Sequence, residues 1–221
     1  MRKAILSWSG GKDSALALHE LRQDPHVEIV ALLTTLTEGY DRVSMHGIRS
    51  VLVEKQADGV GLPLEKVYIP QNSSNSEYET RMKDTLTRLG KQGVTCVAFG
   101  DIFLEDLRRY REEKLAEVDM EAIFPIWKRD TGELSRSFVD LGFEALLTCV
   151  DSQMLDGAFA GRAYGKALLS ELPAAVDPCG ENGEFHTFVH AGPVFRRPVP
   201  HEKGEVVLRD SRFYFCDVLP A

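Results

Sequence analysis

Six consecutive residues near the N-terminus, Ser9-Gly10-Gly11-Lys12-Asp13-Ser14, combine the groups that hold a polyphosphate with one group that would repel it. In a glycine turn that opens a helix, backbone N–H groups point outward and the helix dipole favours an anion. The Ser9 and Ser14 hydroxyls and the Lys12 ammonium add donors. The Asp13 carboxylate opposes them unless a cation stands between it and the anion, or unless an Asp or Ser of the turn serves as a helix cap. Mg²⁺ favours one or two carboxylates together with phosphate oxygens, so a magnesium-bound nucleotide reconciles all six residues. Two commoner nucleotide loops are excluded by counting. A Walker loop would need glycine at Leu6 and serine or threonine at Asp13, and no G-x-G-x-x-G fingerprint is present.

Other residues are candidates by type and position. Asp101, behind Gly100 at the end of an apolar run, would bind the same ion or the ribose, or cap a helix before Leu104. His46 lies in a polar segment, where it would meet phosphate or substrate or simply occupy a surface loop. Arg108, Arg109, Arg111 and Glu112 fall at the i,i+3 and i,i+4 spacing of ion pairs on a solvated helix face. Near the C-terminus, DPCGENGEFHTF (residues 177–188) sets Glu181, Glu184 and His186 among glycines. Acids in a closed site attract ammonium, and one of them can take a proton as nitrogen attacks. A tight turn with exposed carboxylates, or a metal site, are the other readings, although Glu-x-x-Glu-x-His matches no zinc-helix spacing.

These residues need elements to bring them together. KAILSW, EIVALLTTLT, KVYIP and VTCVAFGDI are apolar, β-branched runs of strand length. Helical spacing separates them over residues 14–21, 48–60 and 76–89, the last opening with a Ser76/Glu79 capping box. Strand–helix alternation implies right-handed βαβ units and a parallel sheet covered on both faces, which explains why the strands are continuously apolar. Ligands of such sheets collect beyond the carboxyl ends of the strands. The glycine loop, residues 34–46 and Gly100-Asp101 are therefore expected to converge. The last third predicts a strand at EALLTCVDS, a helix over 155–172, then short strands at EFHTFVH and RFYFCDV, with a boundary near residues 127–132. Trp127 is read as core.

Composition narrows the function. The chain of 221 residues carries a formal net charge of −8, and its densest basic cluster is Arg108, Arg109 and Arg111. A nucleic-acid footprint is strongly basic, so a small molecule or a defined protein partner is expected instead. No apolar stretch is long enough to span a membrane. The run Ala4 to Trp8 is shorter than the roughly 7–15 residues of a signal-peptide core. Cys96, Cys149, Cys179 and Cys216 form no C-x-x-C pair and read as reduced cytosolic thiols, which places the protein in the cytoplasm.

SGGKDS behind an N-terminal strand resembles the pyrophosphate loop of the ATP pyrophosphatase superfamily, which includes GMP synthetase, asparagine synthetase and tRNA-thiolating enzymes. The likeness extends through Gly100-Asp101-Ile102 with Arg108 and Glu112, Pro125-Ile126-Trp127, Gly161-Arg162 and DPCGENGEFHTF. Together these motifs resemble the diphthine–ammonia ligase family, and SMHGIR over residues 44–49 is similar to its bacterial relatives. Asn182 and His186 depart from that family's usual Glu-Gly-Gly-Glu-Tyr/Phe-Glu.

The resemblance implies an α/β, Rossmann-like fold of the adenine nucleotide alpha hydrolase type. It assigns residues 1–130 to nucleotide binding and residues 131–221 to a smaller α+β substrate lobe. The implied reaction is ATP-dependent: a carboxylate is adenylated, pyrophosphate leaves and ammonia forms the amide. ATP and Mg²⁺ are the expected cofactors, with Asp13 as metal ligand and Lys12 and Asp13 stabilising the departing charge. Ser9, Gly10, Gly11, Ser14, Gly100 and Asp101 would hold the nucleotide. His46, Arg108 and His186 would contact the substrate, and Glu181 and Glu184 would handle the amine. No nucleic-acid or membrane partner is implied, and a homodimer is one option. An RNA-modifying thiolase or lysidine-type enzyme would bring catalytic cysteines or a basic surface. A non-catalytic nucleotide sensor would not need Asp13.

Overall fold

The computed structural model describes residues 1–43 and 47–221. In chain order the first part comprises β1 (Arg2–Ser7), α1 (Lys12–Leu21), β2 (Val27–Thr37), β3 (Arg42–Val43), α2 (Ser50–Val60) and β4 (Leu64–Ile69). It continues through α3 (Asn75–Gly90), β5 (Cys96–Ala98), α4 (Glu105–Ala116) and β6 (Glu121–Ile123). β1 is central, with β2 on one side and β5 on the other. β4 pairs with β2, β6 with β5, and all of these run parallel. Among the described residues of this sheet only β3 is an antiparallel strand, folding back on Leu36 and Thr37. The chain moves outward from β1 through β2 to β4, then returns to the other side at β5. The gap between the ends of β1 and β5 is thus a topological switch point, where parallel sheets bind ligands.

Alternation along β1 explains why its apolar run is unbroken. Ala4 and Leu6 enter one core while Ile5 enters the other, and all three are fully buried. The second of these cores is closed by Leu86 and Leu89 of α3 and Leu115 of α4. The first takes in α1 and α2 and continues without a break into the rest of the chain.

That remainder holds α5 (Thr131–Asp140), β7 (Glu144–Asp151), β8 (Ala163–Tyr164), α6 (Lys166–Glu171), β9 (Phe185–Ala191), β10 (His201–Arg209) and β11 (Phe213–Pro220). The second sheet is antiparallel. β7 pairs with β9, β11 and β8, and β10 lies outside β11. Leu147, Val150 and Phe188 of this sheet share the first core with Leu6 and Leu18. The fold is therefore mixed α/β, a parallel Rossmann-like sheet joined to an α+β unit.

Several local expectations are corrected. The helix expected over 155–172 is a short 3-10 turn at Gly157–Phe159, then β8 and α6. Gly161 breaks it: its φ is +74°, and a Cβ there would meet Lys203 and Cys216. The capping box of α3 is Ser74 with Glu77, not Ser76 with Glu79. α1 begins at Lys12, two residues before the expected start, and the fourth expected strand shrinks to Cys96–Ala98. Trp127 is only partly buried, not core, and Arg108 lies over its ring, 4.8 Å from the centroid.

Candidate active site

The glycine loop leaves β1 at the switch point and enters α1. Gly10 takes φ +78°, and a Cβ there would lie 2.7 Å from Oε1 of Gln56. Gly11 is the N-cap of α1 and makes no side-chain cap bond, so neither Asp13 nor Ser14 caps the helix. The Ser14 hydroxyl donates to the Gly11 carbonyl at 2.8 Å, and Gly11 N donates to the Ser9 hydroxyl at 3.2 Å. Gly100 lets the turn after β5 approach the same helix start. Its missing Cβ would lie 2.7 Å from the carbonyl carbon of Asp13.

The second sheet covers the loop from above. Val189 N donates to the Gly10 carbonyl at 2.9 Å, and Lys12 N donates to the Thr187 hydroxyl at 3.0 Å. Gln56, fully buried on α2, ties these parts together. It accepts from Trp8 Nε1 at 3.0 Å and donates to the carbonyls of Gly10 at 2.9 Å and Val189 at 2.6 Å. Sequence reasoning passed over Gln56. The signal was an amide on the apolar face of α2, between Val53 and Val60, where an unpaired polar group would be costly.

These segments enclose a cleft of about 330 Å³. Its lining brings together Ser9, Lys12, Asp13, Ser14, Gly100, Asp101, Glu181 and His186 from three separate stretches of sequence. His46 lies outside the described residues. Gly10 and Gly11, buried in the loop, are not part of that lining, and two further expected members, Arg108 and Glu184, stand elsewhere. Arg108 lies over the rings of Phe124 and Trp127 and donates to Glu112 at 2.8 Å, so its guanidinium is taken up away from the cleft. The cleft's guanidinium belongs to Arg111, which lies over Phe99. Its Nη2 donates to Asp101 at 3.1 Å, and its Nε sits 2.7 Å from Asp101 Oδ2, off the angle of a hydrogen bond. Glu184 is fully buried inside its own loop. It accepts from Asp177 N, Asn182 N and Asn182 Nδ2, each at 3.0 Å. Asn182, which departs from the family motif, thus helps to anchor that carboxylate.

The electrostatics are dominated by burial. Lys12 Nζ contacts both Asp13 oxygens, at 2.8 and 2.9 Å, and the Cys179 carbonyl. Burial pulls the lysine pKa down, but Asp13 and Cys179 more than offset it, and the net direction is upward. Burial raises the Asp13 pKa, Lys12 opposes it, and Asp177 and Asp101 add to it. The two directions favour opposite states of one pair; contacts this short favour the ionised pair, so the lysine's direction governs at neutral pH. Burial also raises Glu181 to about 7, although Ile102 N donates to its Oε1 at 2.7 Å. His186 is pushed down to about 4 by burial and by Lys12, and is neutral at pH 7.

The donor set fits a metal that shares its shell with a ligand. Among the described residues no group of three or more His, Cys, Asp and Glu could hold a metal ion. Asp13 faces the cleft, and Asp101 is close enough to raise its pKa. Asp101 Oδ2 is buried without a hydrogen-bond partner. One or two carboxylates completed by phosphate oxygens is the set Mg²⁺ prefers. The four cysteines are buried and free, and burial lifts the Cys179 thiol to about 12, so it is no nucleophile. No helix among the described residues is long and apolar enough to cross a membrane.

Comparison with known proteins places the whole chain. The diphthine–ammonia ligase of Schizosaccharomyces pombe is 29% identical over 223 residues, covering 92% of this chain but 36% of that protein. The chain thus spans little more than a third of that relative's length. The Danio rerio diphthine–ammonia ligase is 28% identical, covering 92% of this chain and 88% of its own. The Homo sapiens protein of that name is 27% identical, with 96% and 86% covered. Among solved structures, the U34-tRNA thiolase NcsA of Methanococcus maripaludis, with its [4Fe-4S] cluster, aligns with 60% of this chain and 54% of its own. Its TM-score of 0.35 and identity of 18% are too low to bear on fold or function. The profile of the diphthamide synthase N-terminal domain matches residues 1–122, and that of the C-terminal domain matches residues 130–215. Matched over both of its parts, the chain belongs to the diphthamide synthase family.

Proposed function

We propose that this protein is an ATP-dependent ligase that joins ammonia to a substrate carboxylate; the name diphthine–ammonia ligase describes a joining of ammonia to diphthine for its relatives. The observation that carries the reading is the convergence of Lys12 and Asp13, Gly100-Asp101, and Glu181 and His186 on one cleft. A carboxylate is a poor electrophile. In the proposed reaction its oxygen attacks the α-phosphorus of ATP, the bond to pyrophosphate breaks and an acyl-adenylate forms. Ammonia then attacks the acyl carbon, AMP leaves and the nitrogen gives up a proton.

The glycine loop is suited to the first half. Backbone N–H groups and the Lys12 ammonium provide fixed positive charge where pyrophosphate departs. Mg²⁺, when bound by Asp13 with Asp101 beside it, supplies further neutralisation. Glu181 is suited to the second half. A carboxylate titrating at about 7 is poised to accept a proton at neutral pH. Glu184, occupied by its own loop, acts through the shape of residues 177–184.

The test is product analysis of ATP turnover with ammonium and a panel of carboxylic acids, both free and on peptides. AMP and pyrophosphate are expected. ADP and phosphate as the main products would overturn the reading.

A further inference from the structure

One strand of the second sheet has an open edge. Among the described residues β10 pairs with β11 alone, and none of the residues of β10 is buried. In its middle Val206, Val207 and Leu208 stand 42%, 37% and 50% exposed, three apolar residues in succession. The edge of such a strand is a template for another strand. We propose that its partner is β10 of a second copy of this chain, antiparallel across a two-fold axis at Val207, so that the two antiparallel sheets become one.

Register supports this choice. When two copies of one strand meet antiparallel, opposed residues must both direct their backbone groups across the seam or both away from it. Opposed positions therefore differ by an even number. An axis at Val207 sets Val207 against itself, Val206 against Leu208 and Glu205 against Arg209, the last two twice by symmetry. An axis at Val206 would set Lys203 against Arg209. An axis at Leu208 would set Val207 against Arg209 and Val206 against Asp210. Only the first register matches apolar with apolar and acid with base, the pairing that stabilises cross-strand neighbours.

The geometry of β10 limits the seam to that stretch. Lys203 pairs with Val218 and Val206 with Cys216, so Gly204 and Glu205 bulge opposite Asp217. At the other end Asp210 and Ser211, both at φ +51°, turn the chain into β11. The regular edge runs from Val206 to Arg209, and with Glu205 of the bulge flanking it the segment is self-complementary. A seam this short buries less than the roughly 1,200–2,000 Å² of a standard interface, so the dimer forms reversibly with concentration. Val207 and Leu208, neighbours of Phe215 and Tyr214 on β11, extend the contact beyond the backbone.

Sedimentation velocity over roughly 1–100 µM protein tests the proposal. The 24.7 kDa chain should approach twice its mass at the upper end. Val207→Lys, Glu205→Arg alone and Arg209→Glu alone should each weaken the dimer about tenfold or more, since each effect is repeated across the axis. The double variant Glu205→Arg with Arg209→Glu should return close to the original affinity. All three sites are exposed or at the rim, so circular dichroism should show the fold unchanged. A chain that stays monomeric throughout, or a dimer indifferent to Val207→Lys, or a double variant that fails to recover, would overturn it.

Discussion

Replacing Gly100 by alanine adds one methyl group where the turn after β5 meets the first turn of α1. The new Cβ would lie 2.7 Å from the carbonyl carbon of Asp13, 2.8 Å from its oxygen and 2.9 Å from Ser14 N. These are backbone atoms, so no rotamer change relieves the overlap. Ordinary contact begins at 3.4 Å, and 3.4 − 2.7 leaves a separation of about 0.7 Å to be found. Gly100 is not among the glycines with positive φ, so the effect is steric rather than conformational. Overpacking of this kind costs about 1–3 kcal/mol. For a chain of this size that lowers Tm by about 2–12 °C. The functional loss should be larger in proportion, because the two parts pushed apart carry Asp101 on one side and Lys12 and Asp13 on the other. Misplacement approaching 1 Å at a reacting centre is worth about 10²-fold in rate. Calorimetry and AMP formation measure the two effects. Gly165→Ala is the control for overlap: nothing lies within 4 Å of its Cβ position, so AMP formation should be unchanged and Tm should fall only by the small preference for glycine over alanine at the N-cap of α6. A Gly100→Ala protein with unaltered Tm and unaltered AMP formation would refute this account of the turn.

Three further outcomes are expected. Asp13→Asn should weaken magnesium-bound ATP about tenfold more than metal-free ATP in titration calorimetry; equal losses would reduce Asp13 to a partner of Lys12. Glu181 titrates at about 7 instead of 4.5, so its stabilising proton is fully present below about pH 4.5 and lost as pH rises through 7. Catalysis by its carboxylate runs the other way. Amide formation should rise through an inflection near 7 that ATP–pyrophosphate exchange lacks, and Glu181→Gln should abolish the inflection and slow amidation by roughly 10²–10⁴. Gln56→Leu would strand Trp8 Nε1 and the Val189 carbonyl, while the Gly10 carbonyl would keep only its bond from Val189 N. Chemical denaturation should show a loss of about 2–4 kcal/mol.

What was legible in the sequence is what local chemistry decides. SGGKDS announced a helix entered through glycines, and the apolar runs announced buried parallel strands, because those patterns admit few other conformations. Residues 155–172 failed because apolar spacing suits a helix, while Gly157 and Gly161 sit where Tyr214, Lys203 and Cys216 leave no room for a side chain. That crowding comes from β10 and β11, more than forty residues later in the chain. The choice between Arg108 and Arg111 was equally non-local. The two are neighbours on one helix, and only the positions of Phe124, Trp127 and Asp101 decide which guanidinium meets the cleft.

In the proposed reaction Glu181 and Glu184, two like residues of one loop, have different duties. Departing pyrophosphate calls for positive charge near the glycine loop, whereas an incoming amine calls for a carboxylate on the acyl side. Residues 177–184 turn Glu181 toward the cleft and Glu184 into the loop itself. Glu184 gathers Asp177 N, Asn182 N and Asn182 Nδ2, which fixes the turn; the turn then presents the Cys179 carbonyl to Lys12 and Glu181 to Ile102 N. Glu184→Gln replaces one accepting oxygen with a donor that faces other donors. Hydrogen bonds to a buried charged group are worth about 1.5–3 kcal/mol, so Tm should fall by several degrees. With the loop loosened, Lys12 and Glu181 lose their settings together, and exchange and amidation should decline in parallel. Glu181→Gln, by contrast, should leave Tm nearly unchanged and depress amidation alone. If Glu184→Gln kept its full Tm and lost only amidation, the inward acid would be doing chemistry and the division of duties would be wrong.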